Sequence, residues 1–273
     1  MSRLLRGDLF RMRKSGLFWW SLAATAGCGV FLMIFPYVQM AMSGYDYDLE
    51  LPFFHFLQMS GIIMAVFTGI FAGTEYSDGT VRNKLIAGSS RTGIYLSQLI
   101  TCLAAGAAVM AAGYAVSCVL GIPVYGPPQG EPGELLAYAA VSMAAMAAYV
   151  SLCVMISMIS PGRTAAVVIC ILLTFALLFA VAYFFSQLSE PRLVNRLSEG
   201  ATGELQTIVN PAYVSGARRE VYENIVDAVP IGQMISIVDR NAESLGRMAL
   251  YSAALTAAST LAGISFFRKK DIK

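Results

Sequence analysis

The sequence predicts an all-α integral membrane protein with six transmembrane helices and both termini in the cytoplasm. Of its 273 residues, 57% are hydrophobic and only 13% are charged, too few charges to cover the surface of a water-soluble domain of this length. Six stretches with almost no charge are each long enough to cross the hydrocarbon core as a helix. The basic residues collect in alternate connections between these stretches, which fixes an orientation.

Residues 1–16 precede the first span and predict an amphipathic helix lying in the membrane plane. Leu5, Leu9 and Met12 recur at helical spacing, and basic residues occupy the opposite side. Such a helix would lie on the anionic inner leaflet. The apolar run that follows continues to Met42, which is too long for the apolar region of a signal peptide. We therefore expect an uncleaved first span.

The six predicted spans occupy just over half of the chain, so we expect one transmembrane domain, 1–273. Thirteen of the 19 basic residues lie in the segments on the side of the two termini, and 13 of the 17 acidic residues lie in the other connections. Since basic residues close to spans resist translocation, this asymmetry places both termini in the cytoplasm. The spans cover residues 17–42, 53–73, 94–120, 134–159, 164–187 and 247–267.

The sequence contains no recognisable catalytic or metal-binding motif, so we expect no enzyme activity, metal site or bound cofactor. The single histidine, His55, lies at the outer mouth of the second span, where an interfacial residue is expected. No phosphate-binding GxxxxGK[ST] loop is present, so ATP would have to be hydrolysed by another subunit. The net charge of +2 is too small to indicate a nucleic-acid partner.

Small residues indicate close helix packing. Gly69 and Gly73 form a GxxxG pattern, which favours either packing within the chain or a dimer contact. All five cysteines fall inside predicted spans and are expected to act as small packing residues.

The connection between the second and third spans, residues 74–93, carries the most specific local pattern. Asp78-Gly79 predicts a turn, Thr80 can cap the helix that follows, and Gly88 can end it. The result would be a cytoplasmic helix from Val81 to Ala87, and one of the two serines after Gly88 would cap the third span. The alternative is a plain charged loop.

The run EYSDGTVRNKLIAGSSRTGIYLSQ, residues 75–98, resembles the segment after the second span of ABC-2-type permeases, particularly the six-span subunits of bacitracin- and lantibiotic-type exporters. The shared pattern is an acidic residue, Gly-Thr, a basic or polar helix, and Ser-Arg before the next span. Two further features agree with this resemblance. One is a long outer loop that contains Pro230-Ile231-Gly232-Gln233, and the other is an apolar end, Phe266-Phe267, followed by basic residues.

This resemblance implies a bacterial plasma-membrane half-transporter. It would pair with a second permease subunit, identical or not, and seat a separate ATP-binding cassette ATPase on its cytoplasmic face. Its substrate would be amphipathic, such as an antimicrobial peptide or a drug, moved across or out of the lipid membrane. The helix after the second span would be the coupling helix, helped by Arg3 to Arg13. By analogy the ATPase contacts are Glu75, Asp78, Gly79, Thr80, Val81, Arg82, Asn83, Lys84 and Leu85.

Residues 188–246 are too polar to span and too long for a simple turn. Helical spacing from Val221 to Val229, ended by Pro230, predicts an amphipathic helix, and Met234 to Val238 predicts a short re-entrant or interfacial one. Together they would cap the exit side, although a small loop without substrate contact is equally compatible. Two other functions stay open, an ATP-independent secondary transporter or channel and an integral membrane enzyme.

Overall fold

The computed structural model describes residues 2–43, 52–127, 130–197, 205–240, 242 and 244–270. Within these ranges six helices are long and apolar enough to cross a membrane. They correspond to the six predicted spans, and the chain is a multi-pass, predominantly α-helical membrane protein. Most of the predicted connection 43–52 and the end of the basic tail, including Lys273, lie outside the described residues.

Four of the six long helices begin and end within two residues of the prediction. They are α2 (Gly16–Ser43), α7 (Pro132–Ile159), α8 (Arg163–Leu188) and α11 (Leu245–Lys269). The third span is α5 (Arg91–Val116), followed by a π-helical turn (Ser117–Gly121) and the short α6 (Ile122–Tyr125). The second span differs most. A 3₁₀ turn (Pro52–Phe54) precedes α3 (Leu57–Ser77), which continues four residues past the predicted end.

The N-terminal helix α1 (Ser2–Lys14) packs on the bundle as well as carrying basic residues. Met12 is buried, and Leu4 and Leu9 pack against the core. The apolar face expected to lie on lipid is therefore partly covered by protein, chiefly by α5. Asp8, an acidic residue on this covered face, is only 3% exposed.

The core lies along α7, which contacts α11, α3, α5, α8 and α10. Its side chains include Met146, Tyr149 and Val154, all buried. The outer helices α2, α8 and α11 instead expose large apolar side chains, such as Trp20, Phe179 and Leu250. Exposed apolar surface of this extent is the pattern of helices that face lipid or another membrane subunit.

The GxxxG pattern packs inside the chain. A Cβ added to Gly69 would lie 2.8 Å from the Cα of Val167, and one added to Gly73 would lie 2.8 Å from the Cα of Arg163. These contacts bring α3 directly against α8, so the two glycines are used in packing between these helices.

The cysteines behave less uniformly than predicted. All five thiols are free. Cys102, Cys153 and Cys170 are buried packing residues, as expected. Cys118 is exposed on the π-helical turn and does not pack within this chain.

The segment between α8 and α11 contains two strands that the sequence did not predict. β1 (Leu193–Leu197) and β2 (Leu205–Val209) pair antiparallel, with Leu193 opposite Val209. The residues that join them, 198–204, lie outside the described ranges. The two predicted helices are present as α9 (Ala217–Ala228) and α10 (Pro230–Val238). Pro230 is the first residue of α10, where its missing N–H costs no hydrogen bond.

Candidate functional site

The connection between α3 and α5 contains the short helix α4 (Thr80–Ile86). Asp78 and Gly79 form the predicted turn, and Gly79 adopts φ +65°, which glycine tolerates without a Cβ clash. Gly88 ends the helix with φ +83°. Ser90 is confirmed as the cap of α5, because its Oγ accepts a hydrogen bond of 3.1 Å from the N–H of Gly93.

Thr80 does not cap α4 as predicted. Gly79 occupies the N-cap position, and the Thr80 hydroxyl donates a hydrogen bond of 2.9 Å to the carbonyl of Glu75. This bond joins the first residue of α4 to the last turn of α3. It fixes the angle at which α4 leaves α3.

The two faces of α4 have opposite environments. Val81 is 1% exposed and Leu85 packs against the core. Arg82 and Asn83 are exposed, and Ile86 is 75% exposed although it is a large apolar residue. The predicted contact set leaves out Ile86, which the structure places on the outer face. Helical geometry puts residues 82, 83 and 86 on one side, so the chain presents a small surface with an apolar centre.

Glu75 and Lys84, both predicted to contact a partner, face each other inside the protein. Lys84 Nζ lies 2.7 Å from Glu75 Oε1 and 2.7 Å from Asp8 Oδ1. The side chains of Glu75 and Asp8 are 0% and 5% exposed, and that of Lys84 is 18% exposed. A single ammonium group thus bridges two carboxylates that α1 and α3 supply.

Two further residues complete this group, which we call the Lys84 cluster: Asp8, Arg11, Glu75, Lys84 and Ser97. Arg11 Nη1 lies 2.7 Å from Glu75 Oε1, and the Ser97 hydroxyl donates a bond of 2.6 Å to Asp8 Oδ2. Two positive and two negative side chains therefore neutralise each other. Because buried charges are tolerated when they are paired and hydrogen-bonded, the cluster can fasten α1, α3, α4 and α5 together.

The cluster also explains why α3 is longer than predicted. The second span was predicted to end just before Glu75 because this residue is charged. Since Lys84 and Arg11 neutralise its carboxylate, Glu75 can stay buried and the helix can continue to Ser77. Asp8 was missed as a site residue. The available signal was that it is the only acidic residue among the first 45 and lies among apolar residues of α1.

A second set of contacts ties the same connection to the ends of α7 and α11. Arg91 Nη1 donates to the carbonyls of Phe267 (3.2 Å) and Arg268 (3.0 Å). Lys270 Nζ donates to the carbonyl of Ser160 (2.6 Å), and the Tyr76 hydroxyl donates to that of Met158. Burial lowers the pKa of Lys270 below its ordinary value. Cations at helix C-termini satisfy carbonyls that lack helical partners.

At the opposite end of the bundle, α10 is inserted against α3, α7 and α8. The side chain of Gln233 is fully buried. Its Nε2 donates to the carbonyls of Asp227 (2.6 Å) and Met248 (3.0 Å), and its Oε1 accepts from the Ser252 hydroxyl at 2.7 Å. Arg247 Nε donates to Asp227 Oδ2 at 3.0 Å. Polar contacts thus join α9, α10 and α11.

Comparison with known families identifies the chain. Residues 4–177 match the model of the ABC-2 family transporter proteins, which is more than half of the chain. The chain belongs to the ABC-2 transporter family. It is a membrane-spanning permease of ABC transport, and such permeases in general work with an ATPase partner. No curated protein matches the chain.

The family match covers α1 to the middle of α8, so the Lys84 cluster and α4 belong to the part of this ABC-2 permease that the family model describes. The region from β1 to α11 lies beyond the matched range. Of the nine residues assigned to an ATPase contact, Glu75 and Val81 are buried and Lys84 is bound within the chain. Asp78, Arg82 and Asn83 are exposed.

Proposed function

We propose that this chain is the permease half of an ATP-driven exporter and that the outer face of α4 docks a separate ATP-binding cassette ATPase. One observation carries the proposal: α4 is held firmly on one side, while the other side exposes Ile86 between Arg82 and Asn83. A rigid helix with an exposed apolar centre and a polar rim has the character of a protein–protein contact.

The charge distribution supports a cytoplasmic position for the α4 end. Helix α1, α4, the connection between α7 and α8 and the end of α11 lie at this end, and the segments that contain them carry most of the basic residues. Pairing with a second permease subunit, export of an amphipathic substrate such as an antimicrobial peptide or drug, and a bacterial plasma membrane complete the proposal on the basis of the family resemblance.

Docking through α4 would let ATP-driven movements of the ATPase reach the bundle. Because the Lys84 cluster fastens α4 to α1, α3 and α5, α4 cannot shift without its neighbours. The bonds of Tyr76 and Arg91 extend this connection to α7 and α11. Rigid-body transmission of this kind is one of the established forms of conformational switching.

The experiment measures the affinity of the purified permease for a co-expressed ABC-type ATPase encoded in the same genome. Ile86→Asp places a charge at the centre of the outer face and should weaken the complex by about 2 kcal/mol, or about 30-fold in Kd. Arg82→Glu should weaken it less, because Arg82 lies at the rim. Thermal stability of the isolated permease should not change.

Arg218→Glu serves as the matched control, since Arg218 is an exposed basic residue on α9 at the other end of the bundle. It should leave the affinity unchanged. A complex that survives Ile86→Asp would refute docking through α4. Transport that continues without any bound ATPase would favour the secondary transporter or channel.

A further inference from the structure

An apolar cavity of about 310 Å³ lies between α3, α8 and α10. Its walls include Leu57 and Ile62 of α3, Leu178 of α8, and Ile231 and Met234 of α10. Small-molecule sites typically have volumes from about 300 to 1,000 Å³ and mostly apolar walls with a few polar groups. The cavity meets this description in both size and lining.

One carboxylate stands at the edge of this cavity. Asp239 follows the last residue of α10 and lines the cavity together with the polar Gln58 and Thr174. Among the described residues Asp239 makes no ion pair and accepts no side-chain hydrogen bond, whereas Asp227, on the other side of α10, is bound by Arg247 and Ser244. Asp239 is exposed at the edge of the cavity, so its charge can be reached by a cation that enters there.

The charged groups around Asp239 do not neutralise it. Arg240, the next residue, directs its Nη2 toward Glu134 of α7 at 3.5 Å. His55 is the titratable side chain that acts on Asp239, and its Nδ1 is buried without a hydrogen-bond partner in the described part of the chain. Burial raises the pKa of Asp239, and the influence of His55 opposes this rise.

We propose that the cavity between α3, α8 and α10 binds amphipathic cations, whose apolar part fills the cavity while the positive charge lies beside Asp239. This inference builds on the proposed function, for which it names the substrate class as lipophilic cations. An anion of the same shape would meet the same apolar walls but would be repelled by the carboxylate.

The test is equilibrium binding of radiolabelled tetraphenylphosphonium to the full-length permease in lipid nanodiscs, without ATPase or ATP. Tetraphenylborate, which has the same shape and the opposite charge, is the matched ligand. Saturable binding of the cation, at least about tenfold tighter than that of the anion, is expected. Asp239→Asn should weaken cation binding by about tenfold and reduce the preference for the cation.

A second variant blocks the cavity without removing its charge. Gly61 lines the cavity, and a Cβ added to it would meet no atom within 4 Å. Gly61→Leu should therefore fold and fill the space, and it should abolish binding of the cation. Glu220→Gln removes an exposed acidic residue on α9, away from the cavity, and should leave binding unchanged.

Cation binding that is insensitive to both Asp239→Asn and Gly61→Leu would overturn the assignment of the site. Loss on Gly61→Leu without any effect of Asp239→Asn would show an apolar cavity, such as one for lipid chains, and would overturn the proposed cation class. Absence of saturable cation binding would overturn the whole proposal. Since the measurement uses the permease alone, its failure is distinct from failure of the α4 docking experiment.

Discussion

The two ends of the bundle differ in how their acidic groups are paired. At the α4 end, Asp8 and Glu75 share the Lys84 ammonium group, and Arg11 completes the neutralisation of Glu75. At the α10 end, Asp227 is paired with Arg247, but Asp239 is left without an ion pair among the described residues. Fully paired charges join helices to one another, whereas an unpaired charge beside a cavity is available to a ligand.

The largest effect is expected from breaking the Lys84 cluster. Lys84→Met removes the cation that bridges Asp8 and Glu75, and among the described residues it leaves Asp8 without a basic partner. Removal of one partner from a buried ion pair typically costs about 3–5 kcal/mol, so the thermal unfolding midpoint of the purified permease should fall markedly. Fluorescence-detected thermal denaturation in detergent measures this.

Arg82→Met is the control for this prediction, because it removes a basic residue from the exposed face of the same helix. It should change the unfolding midpoint little. Adding Asp8→Asn and Glu75→Gln to Lys84→Met should recover part of the loss, since the unpaired carboxylates are then neutral. If Lys84→Met and Arg82→Met behaved alike, the cluster would not hold the α4 end together.

Much of the fold could be predicted from the sequence, because the spans follow from the lengths of charge-free runs and the expected orientation follows from the positions of basic residues. The predicted end of α3 was wrong because these rules do not consider contacts between residues that are far apart in the chain. Glu75 is charged, yet Lys84 and Arg11 neutralise it across distances of 9 and 64 positions in the chain. The hairpin of β1 and β2 was missed because short strands in a polar loop have no strong periodicity.

An intermediate effect is expected from Gln233→Leu at the α10 end. The substitution keeps the size of the side chain approximately but leaves the carbonyls of Asp227 and Met248 and the hydroxyl of Ser252 without this partner. An unsatisfied buried polar group costs about 1–3 kcal/mol. Hydrogen exchange should accelerate in α9 and α10.

The same measurement in α1 and α4 provides the internal comparison. Amides there should keep the exchange rates of the unmodified protein, since the Lys84 cluster is untouched. Conversely, Lys84→Met should accelerate exchange in α1 and α4 more than in α10. Equal acceleration at both ends in either variant would show that the bundle opens as one unit and that the two ends are not independent.

The candidate site was only partly predictable. Turn and cap residues placed α4 to within one residue, because Gly79, Gly88 and Ser90 act through local geometry. Which face of α4 is outward depends on Asp8, 76 residues earlier in the chain than its partner Lys84. Local spacing contains no information about that contact, so the sequence alone indicates neither that Glu75 and Lys84 bind each other nor that Ile86 faces outward.

The smallest effect on stability is expected at Asp239, and it distinguishes the unpaired acidic residue of the α10 end from the paired one. Asp239→Asn removes an exposed charge that no described cation pairs, so the unfolding midpoint should change little. The isosteric change Asp227→Asn, which weakens the contact with Arg247, should lower it. Both acidic residues flank α10, and only the paired one contributes to stability. A fall in the midpoint of Asp239→Asn equal to that of Asp227→Asn would mean that Asp239 has a structural partner and is not free for a ligand.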